Sequence, residues 1–136
     1  MIVVDTNIIA YLLIPGDRTT QAELALSKDP LWAAPLLWRS ELRNVLVVYM
    51  RQKLMQLTYA LGVMQRAERL FTNKEYHVAS DKILQMATTC DLSAYDCEFV
   101  FLAQNLGTQL LTVDKKILRL FPETAVSLDS FTQTES

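Results

Sequence analysis

The 136-residue chain holds two cysteines, three glycines and one histidine, and each scarcity removes a class of function. Cys90 and Cys97 are too few for a disulfide framework and match no zinc-ligand spacing, so they read as small apolar residues. His77 is the sole histidine and falls inside an inferred strand, so no Ser/His/Asp or Cys/His nucleophile set is available. Three glycines leave no flexible linker, and the turn DTNII after the first strand lacks the glycine-rich phosphate loop of a Rossmann-type nucleotide binder. Positive charge is not in excess: 13 basic residues face 15 acidic ones, and no basic tail is present. No stretch approaches the roughly 18 uninterrupted apolar residues of a membrane span. The start, MIVVDTNIIAYLLIPGD, has neither a basic leader nor a small-residue cleavage site, and Asp5 interrupts it. No membrane association and a cytoplasmic location are the default expectations.

What is present is a core. Hydrophobic residues make up 51% of the chain and charged ones 21%, enough for one globular domain over residues 1–130 with a polar tail at 131–136. Met1 to Val4 reads as a buried parallel strand. Thr6 or Asn7 can cap a short helix through Leu13, stopped by Pro15-Gly16, and Thr19 to Lys28 reads as a second helix. Leu31 to Ala34 is a second strand. Ser40 can cap a long helix whose Leu42, Val45, Leu46 and Tyr49 share one face, and Thr58 to Phe71 repeats that pattern. Trp32 and Trp38 bracket the second strand as packing residues. Tyr76 to Ala79 is a candidate third strand, followed by helices over Ser80–Thr89 and Ser93–Leu106, the latter stopped at Gly107. Leu110 to Val113 is a fourth strand, Lys115 to Leu120 a short helix, Ala125 to Leu128 a fifth strand, and Thr132 onward a polar, mobile tail. Alternating strands and helices imply crossover connections, hence a three-layer α/β/α domain.

Such sheets place chemistry beyond the carboxyl ends of their strands. Four acids fall there. Asp5 and Asp114 end the first and fourth strands, while Glu41 in WRSEL and Asp96 in LSAYDCEF fall in the first turns of helices. Taken singly, each acid is readable as a cap or a helix-dipole partner. Asp5 stands apart, because a charge directly after IVV at a buried strand end is costly unless paired or metal-bound. Carboxylates gathered in one pocket repel, and a divalent cation relieves that. Oxygen ligands without histidine or cysteine suit Mg²⁺ or Mn²⁺, one ion or two, and such ions serve phosphodiester hydrolysis. Setting these four aside leaves 11 of the 15 acids against 13 bases, so the negative net charge does not exclude a nucleic-acid partner.

The segments VVDTNIIAYLL, SEL at 40–42, LSAYDCEFVFLAQNLG at 92–107 and LLTVDKKI at 110–117 resemble, in order and spacing, the motifs of the PIN domain family. More narrowly they resemble its VapC-type toxins of type II toxin–antitoxin pairs. The resemblance implies a five-stranded parallel sheet, Mg²⁺- or Mn²⁺-dependent endoribonuclease activity on an RNA substrate, a cognate antitoxin and a homodimer. It maps the family's acids onto Asp5, Glu41, Asp96 and Asp114, with Asp5, Asp96 and Asp114 as metal ligands. Asn7 and Thr112 match polar positions that support those acids, although a helix cap and an ordinary strand residue explain them as well. Arg39, Arg43, Lys115 and Lys116 flank the acids and are candidates for phosphate contact; Arg43 could instead pair with a nearby acid.

Two other readings compete. A phosphoacceptor receiver domain carries a pair of acids near its first strand, where this chain has only Asp5. A catalytically silent PIN-like protein-interaction module would be expected to have lost acids, and all four remain.

Overall fold

The computed structural model describes residues 1–133 and forms a five-stranded parallel sheet flanked by helices. The strands β1 (Ile2–Val4), β2 (Trp32–Pro35), β3 (Glu75–Tyr76), β4 (Leu110–Thr112) and β5 (Ala125–Ser127) lie in the order β3-β2-β1-β4-β5. All pairings are parallel, with Ile2 opposite Trp32 and Val3 opposite Leu110. β1, β2 and β4 are buried along their whole lengths, which is why they read as unbroken apolar runs rather than alternating ones.

The helices are α1 (Thr6–Leu13), α2 (Thr19–Lys28), α3 (Leu37–Arg51), α4 (Leu57–Leu70), α5 (Ser80–Thr89), α6 (Ala94–Asn105), α7 (Lys115–Leu120) and α8 (Leu128–Thr132). Their contacts form two groups. α5 packs on α6, which crosses β1, β2 and β4, while α1 joins α2, α3 and α4, and α8 lies on α2, β4 and β5. α6 turns an apolar side to the three strands it lies over, where Cys97, Phe99, Val100, Leu102 and Ala103 are all buried. Beyond its end, Gly107 takes φ +65, the left-handed stop that spares a side chain steric strain.

The structure corrects four boundaries. Asp5, not Thr6 or Asn7, caps α1, its carboxylate accepting from the Thr6 N–H at 2.8 Å. α3 begins at Leu37 rather than after Ser40, because burial of Trp38 and a hydrogen bond from its Nε1 to Glu75 (2.9 Å) fix an earlier turn. Glu41 therefore sits beyond the first helical turn. β3 is only Glu75–Tyr76, since its partner β2 gives way to α3 at Leu37, directly after the last ladder bond from the Leu36 N–H to the Tyr76 carbonyl at 3.0 Å. Finally, the chain helps form a further helix, α8, capped by the Ser127 hydroxyl, so Leu128 leaves the strand and the proposed tail boundary at residue 131 falls inside a helix. Lys28 Nζ donates to the Phe131 carbonyl at 2.8 Å, which ties that helix to α2. The rest of the expected polar tail, 134–136, lies outside the described residues.

Candidate active site

The strand order reverses direction between β1 and β4, and Asp5 emerges at that point, its N–H held by the Leu111 carbonyl at 2.9 Å. One carboxyl oxygen accepts from the Thr6 N–H and the other from the Thr112 hydroxyl at 2.8 Å. Thr112 is fully buried at the end of β4 and accepts in turn from the Asp114 N–H at 3.0 Å. One hydroxyl thus links two acids. On the other side, the Thr6 hydroxyl donates to Glu41 Oε1 at 2.6 Å. Asp114 caps α7, its Oδ1 accepting from the Ile117 N–H at 2.9 Å, and Ser93 caps α6 by accepting from the Asp96 N–H at 3.1 Å.

The four acids line one cleft of about 580 Å³, with Thr6, Asn7, Ser40, Asn44 and Tyr95 at its walls. No lysine or arginine is among the lining residues. The electrostatic consequence is visible on the acids. Burial pushes the Asp5 carboxyl up to about 6, with the charges of Glu41 and Asp96 adding to it against the pull of its two hydrogen bonds. Glu41 is also raised, by burial and then by Asp96 against the Thr6 hydroxyl. Asp96 is raised by burial and by Asp114, with Ser93 and Lys116 opposing. A pocket that holds Asp5, Glu41 and Asp96 above their ordinary range, with no lysine or arginine in its lining, is suited to an added positive charge.

The donor set fits a hard divalent cation, being all oxygen and without histidine or thiolate. Among the described residues no three such groups close into a ready-made metal cage. Mg²⁺ and Mn²⁺ complete their coordination with waters and substrate phosphate, so the carboxylates need not enclose the ion by themselves.

The structure brings the four acids together with Asn7 and Thr112; none of the basic candidates is among the residues that line the cleft. Positions two apart on a helix face opposite ways, so Arg39 and Arg43 point away from Glu41. Arg39 is bound to Glu75 and Glu68, with one Nη donating to Glu75 Oε1 at 2.8 Å, and lies over the Trp38 ring. Arg43 and Lys115 are exposed and outside the cleft lining. Lys116 pairs with exposed Asp91 at 2.9 Å, although its charge reaches Asp96.

A sequence model of the PIN domain family matches residues 2–121. The chain belongs to the PIN domain family. It is 28% identical over 124 residues to Ribonuclease VapC3 of Pyrobaculum aerophilum, covering 89% of this chain and 95% of that protein. The PIN fold recurs in the crystal structure of PAE2754 from the same organism, at a TM-score of 0.71 and 18% identity over 96% of this chain and 92% of that one. A toxin–antitoxin complex from Klebsiella pneumoniae contains a chain matching at 0.68 and 19% identity, over 94% and 98% of the two chains.

Within this PIN domain, sequence reasoning missed three participants. Thr6 was visible only as a cap candidate, and its bridge to Glu41 spans 35 positions. Ser93 was visible only as the start of a helix. Glu98 carries no motif signal, yet its half-buried carboxyl is raised by burial and by Glu41, with His77 opposing. Among the described residues no helix is long and apolar enough to cross a membrane.

Proposed function

We propose that this protein is a Mg²⁺- or Mn²⁺-dependent endoribonuclease and the toxin component of a toxin–antitoxin pair. The observation that carries the reading is the cleft in which Asp5, Glu41 and Asp96 are all held above their ordinary range with no basic residue lining it. The similarity to Ribonuclease VapC3 supports RNA as substrate, and the likeness to a toxin–antitoxin complex supports a protein antitoxin as partner. A homodimer and a cytoplasmic location belong to the same reading.

Asp5, Asp96 and Asp114 would hold the ion. When bound, a divalent cation supplies charge neutralisation at a phosphate and lowers the pKa of a coordinated water. The protein's own part is positional. Thr112 orients the Asp5 and Asp114 segments together, and Thr6 holds Glu41 facing the cleft, where its carboxyl, raised by burial and by Asp96, is placed to accept and release a proton. Asn7 and Asn44 offer neutral hydrogen-bonding groups at the wall, where a further carboxylate would repel the phosphate.

The test is RNA cleavage by the purified chain. Cleavage should require Mg²⁺ or Mn²⁺, stop on chelation, and vanish in Asp5→Ala and Asp96→Ala with the fold retained. Full activity in excess chelator or in both variants would refute the mechanism. A catalytically silent interaction module is the alternative, and carboxylate-dependent Mn²⁺ binding separates the two.

A further inference from the structure

A second cleft, of about 570 Å³, opens beside the acidic one, and Leu37 and Ser40 line both. Its character is different. Leu36 and Tyr76 give it apolar walls, His77 and Glu98 give it polar groups, and no lysine or arginine is among its lining residues. Without a basic residue, and with a carboxylate in its wall, it repels a phosphate. Apolar walls with a few polar groups instead match what a nucleobase presents, namely a flat face and a polar edge.

Glu98 marks the polar edge. Its carboxyl is half-buried and influenced by Glu41 on one side and His77 on the other, while no hydrogen bond to it contributes among the described residues. A partly exposed acceptor with no protein donor is left to water, which a ligand's donor can displace. A carboxylate offers two acceptor oxygens side by side and no donor. Guanine is the base whose Watson–Crick edge carries two adjacent donors, N1–H and the N2 amino group; adenine and cytosine offer one amino group each, beside an acceptor.

We propose that this side cleft is a nucleobase subsite in which Glu98 reads a guanine flanking the scissile phosphate, with Tyr76 and His77 available to its face. The proposal rests on RNA being the substrate. Recognition of this kind needs an unpaired base turned out of a single strand or loop, so duplex RNA would not satisfy it.

The test pairs binding with cleavage on the full chain. Fluorescence anisotropy, run in Ca²⁺, would compare labelled single-stranded uridine hexamers carrying one guanosine, inosine or adenosine. Inosine keeps N1–H and lacks only the N2 amino group. The wild-type chain should bind the guanosine hexamer about tenfold more tightly than the other two, and Glu98→Gln should flatten that difference, the scale expected for one charge-assisted hydrogen bond. His77→Ala should weaken all three hexamers alike. In Mn²⁺, sequencing the ends cut from a mixed single-stranded RNA pool should show guanine at one flank with the wild type and not with Glu98→Gln.

Equal binding of the three hexamers, or a guanine preference that survives Glu98→Gln, overturns the proposal. Cleavage without base bias also overturns it while leaving the ribonuclease reading intact. Guanine-selective binding without any cleavage in Mn²⁺ does the reverse, keeping the subsite and refuting the ribonuclease. If Glu98→Gln instead weakens only the capture of an arginine-bearing peptide, the cleft serves a protein partner and the base subsite is wrong.

Discussion

At the start of α3, Glu68 and Glu75 converge on Arg39, whereas at the carboxyl end of β1 four acids face one cleft with no basic residue in its lining. The local chemistry is similar, carboxylates partly withdrawn from water, and the outcomes are opposite. Arg39 and the Trp38 N–H hold Glu75 below its ordinary range, while burial and neighbouring acids hold Asp5, Glu41 and Asp96 above theirs. The compensated cluster fixes the first turn of α3 against β3. The uncompensated one stores a charge demand that an added cation can meet. Compensation separates a structural charge cluster from a functional one, and acid count alone does not.

Removing a member of the uncompensated cluster should affect activity and spare the fold. Asp5→Asn is expected to lower RNA cleavage on the order of a thousandfold, the upper scale for losing one preorganised electrostatic group. Its melting temperature without metal should hold or rise, because a buried repelling charge is gone; a lower melting temperature would show that Asp5 is a structural cap only. Next in size is the support of these acids. Thr112→Val keeps the side-chain volume but removes the hydroxyl shared by Asp5 and Asp114, and should weaken Mn²⁺ affinity or activity roughly ten- to a hundredfold. Unchanged Mn²⁺ affinity in that variant would assign Thr112 to packing.

The compensated cluster should respond in reverse. Arg39→Ala strands Glu68 and Glu75 and should cost about 2 kcal/mol of stability by denaturant unfolding, with cleavage per folded molecule unchanged. A selective loss of RNA affinity would instead return Arg39 to the substrate path.

The smallest effect is the slope of stability with pH, and its sign differs between the clusters. Asp5 binds its proton more tightly when folded, at about 6 against 3.8, so the metal-free protein should lose stability as pH rises through that window and keep the deficit above it. Glu41 and Asp96 act in the same direction. Glu75 acts oppositely: its contribution is present above the ordinary carboxylate range and is lost as pH falls through its depressed value. Thermal melts of wild type and Asp5→Asn from pH 4 to 8 should show the rising-pH loss shrinking in the variant; identical slopes would contradict the placement of that proton.

Much of this organisation is legible in the sequence because β1, β2 and β4 are buried along their whole lengths and therefore leave apolar runs, and Asp5 follows β1 directly while Asp114 follows β4 after one residue. Elements whose limits depend on tertiary partners are harder to read. The start of α3 is set by Trp38 and Glu75, far apart in sequence, and β3 is as short as the edge it joins. α8 is a five-residue helix whose stop and start rest on Ser127 and contacts with α2. At the site, Arg39 and Arg43 flank Glu41 in sequence yet lie outside the cleft lining, because helical geometry turns positions two apart away from each other. Thr6 and Glu98 were hidden for the converse reason: their partners lie on other elements, and only the packed fold brings them near.

The most direct measurement is a calorimetric Mn²⁺ titration of the purified wild-type chain beside Asp5→Asn and Asp96→Asn at neutral pH. We expect one or two ions to bind the wild type, and binding to be lost or strongly weakened in both variants while their folds remain intact. Wild-type protein that binds no Mn²⁺, or variants that bind it as well as wild type, would contradict the acidic cleft as the metal site.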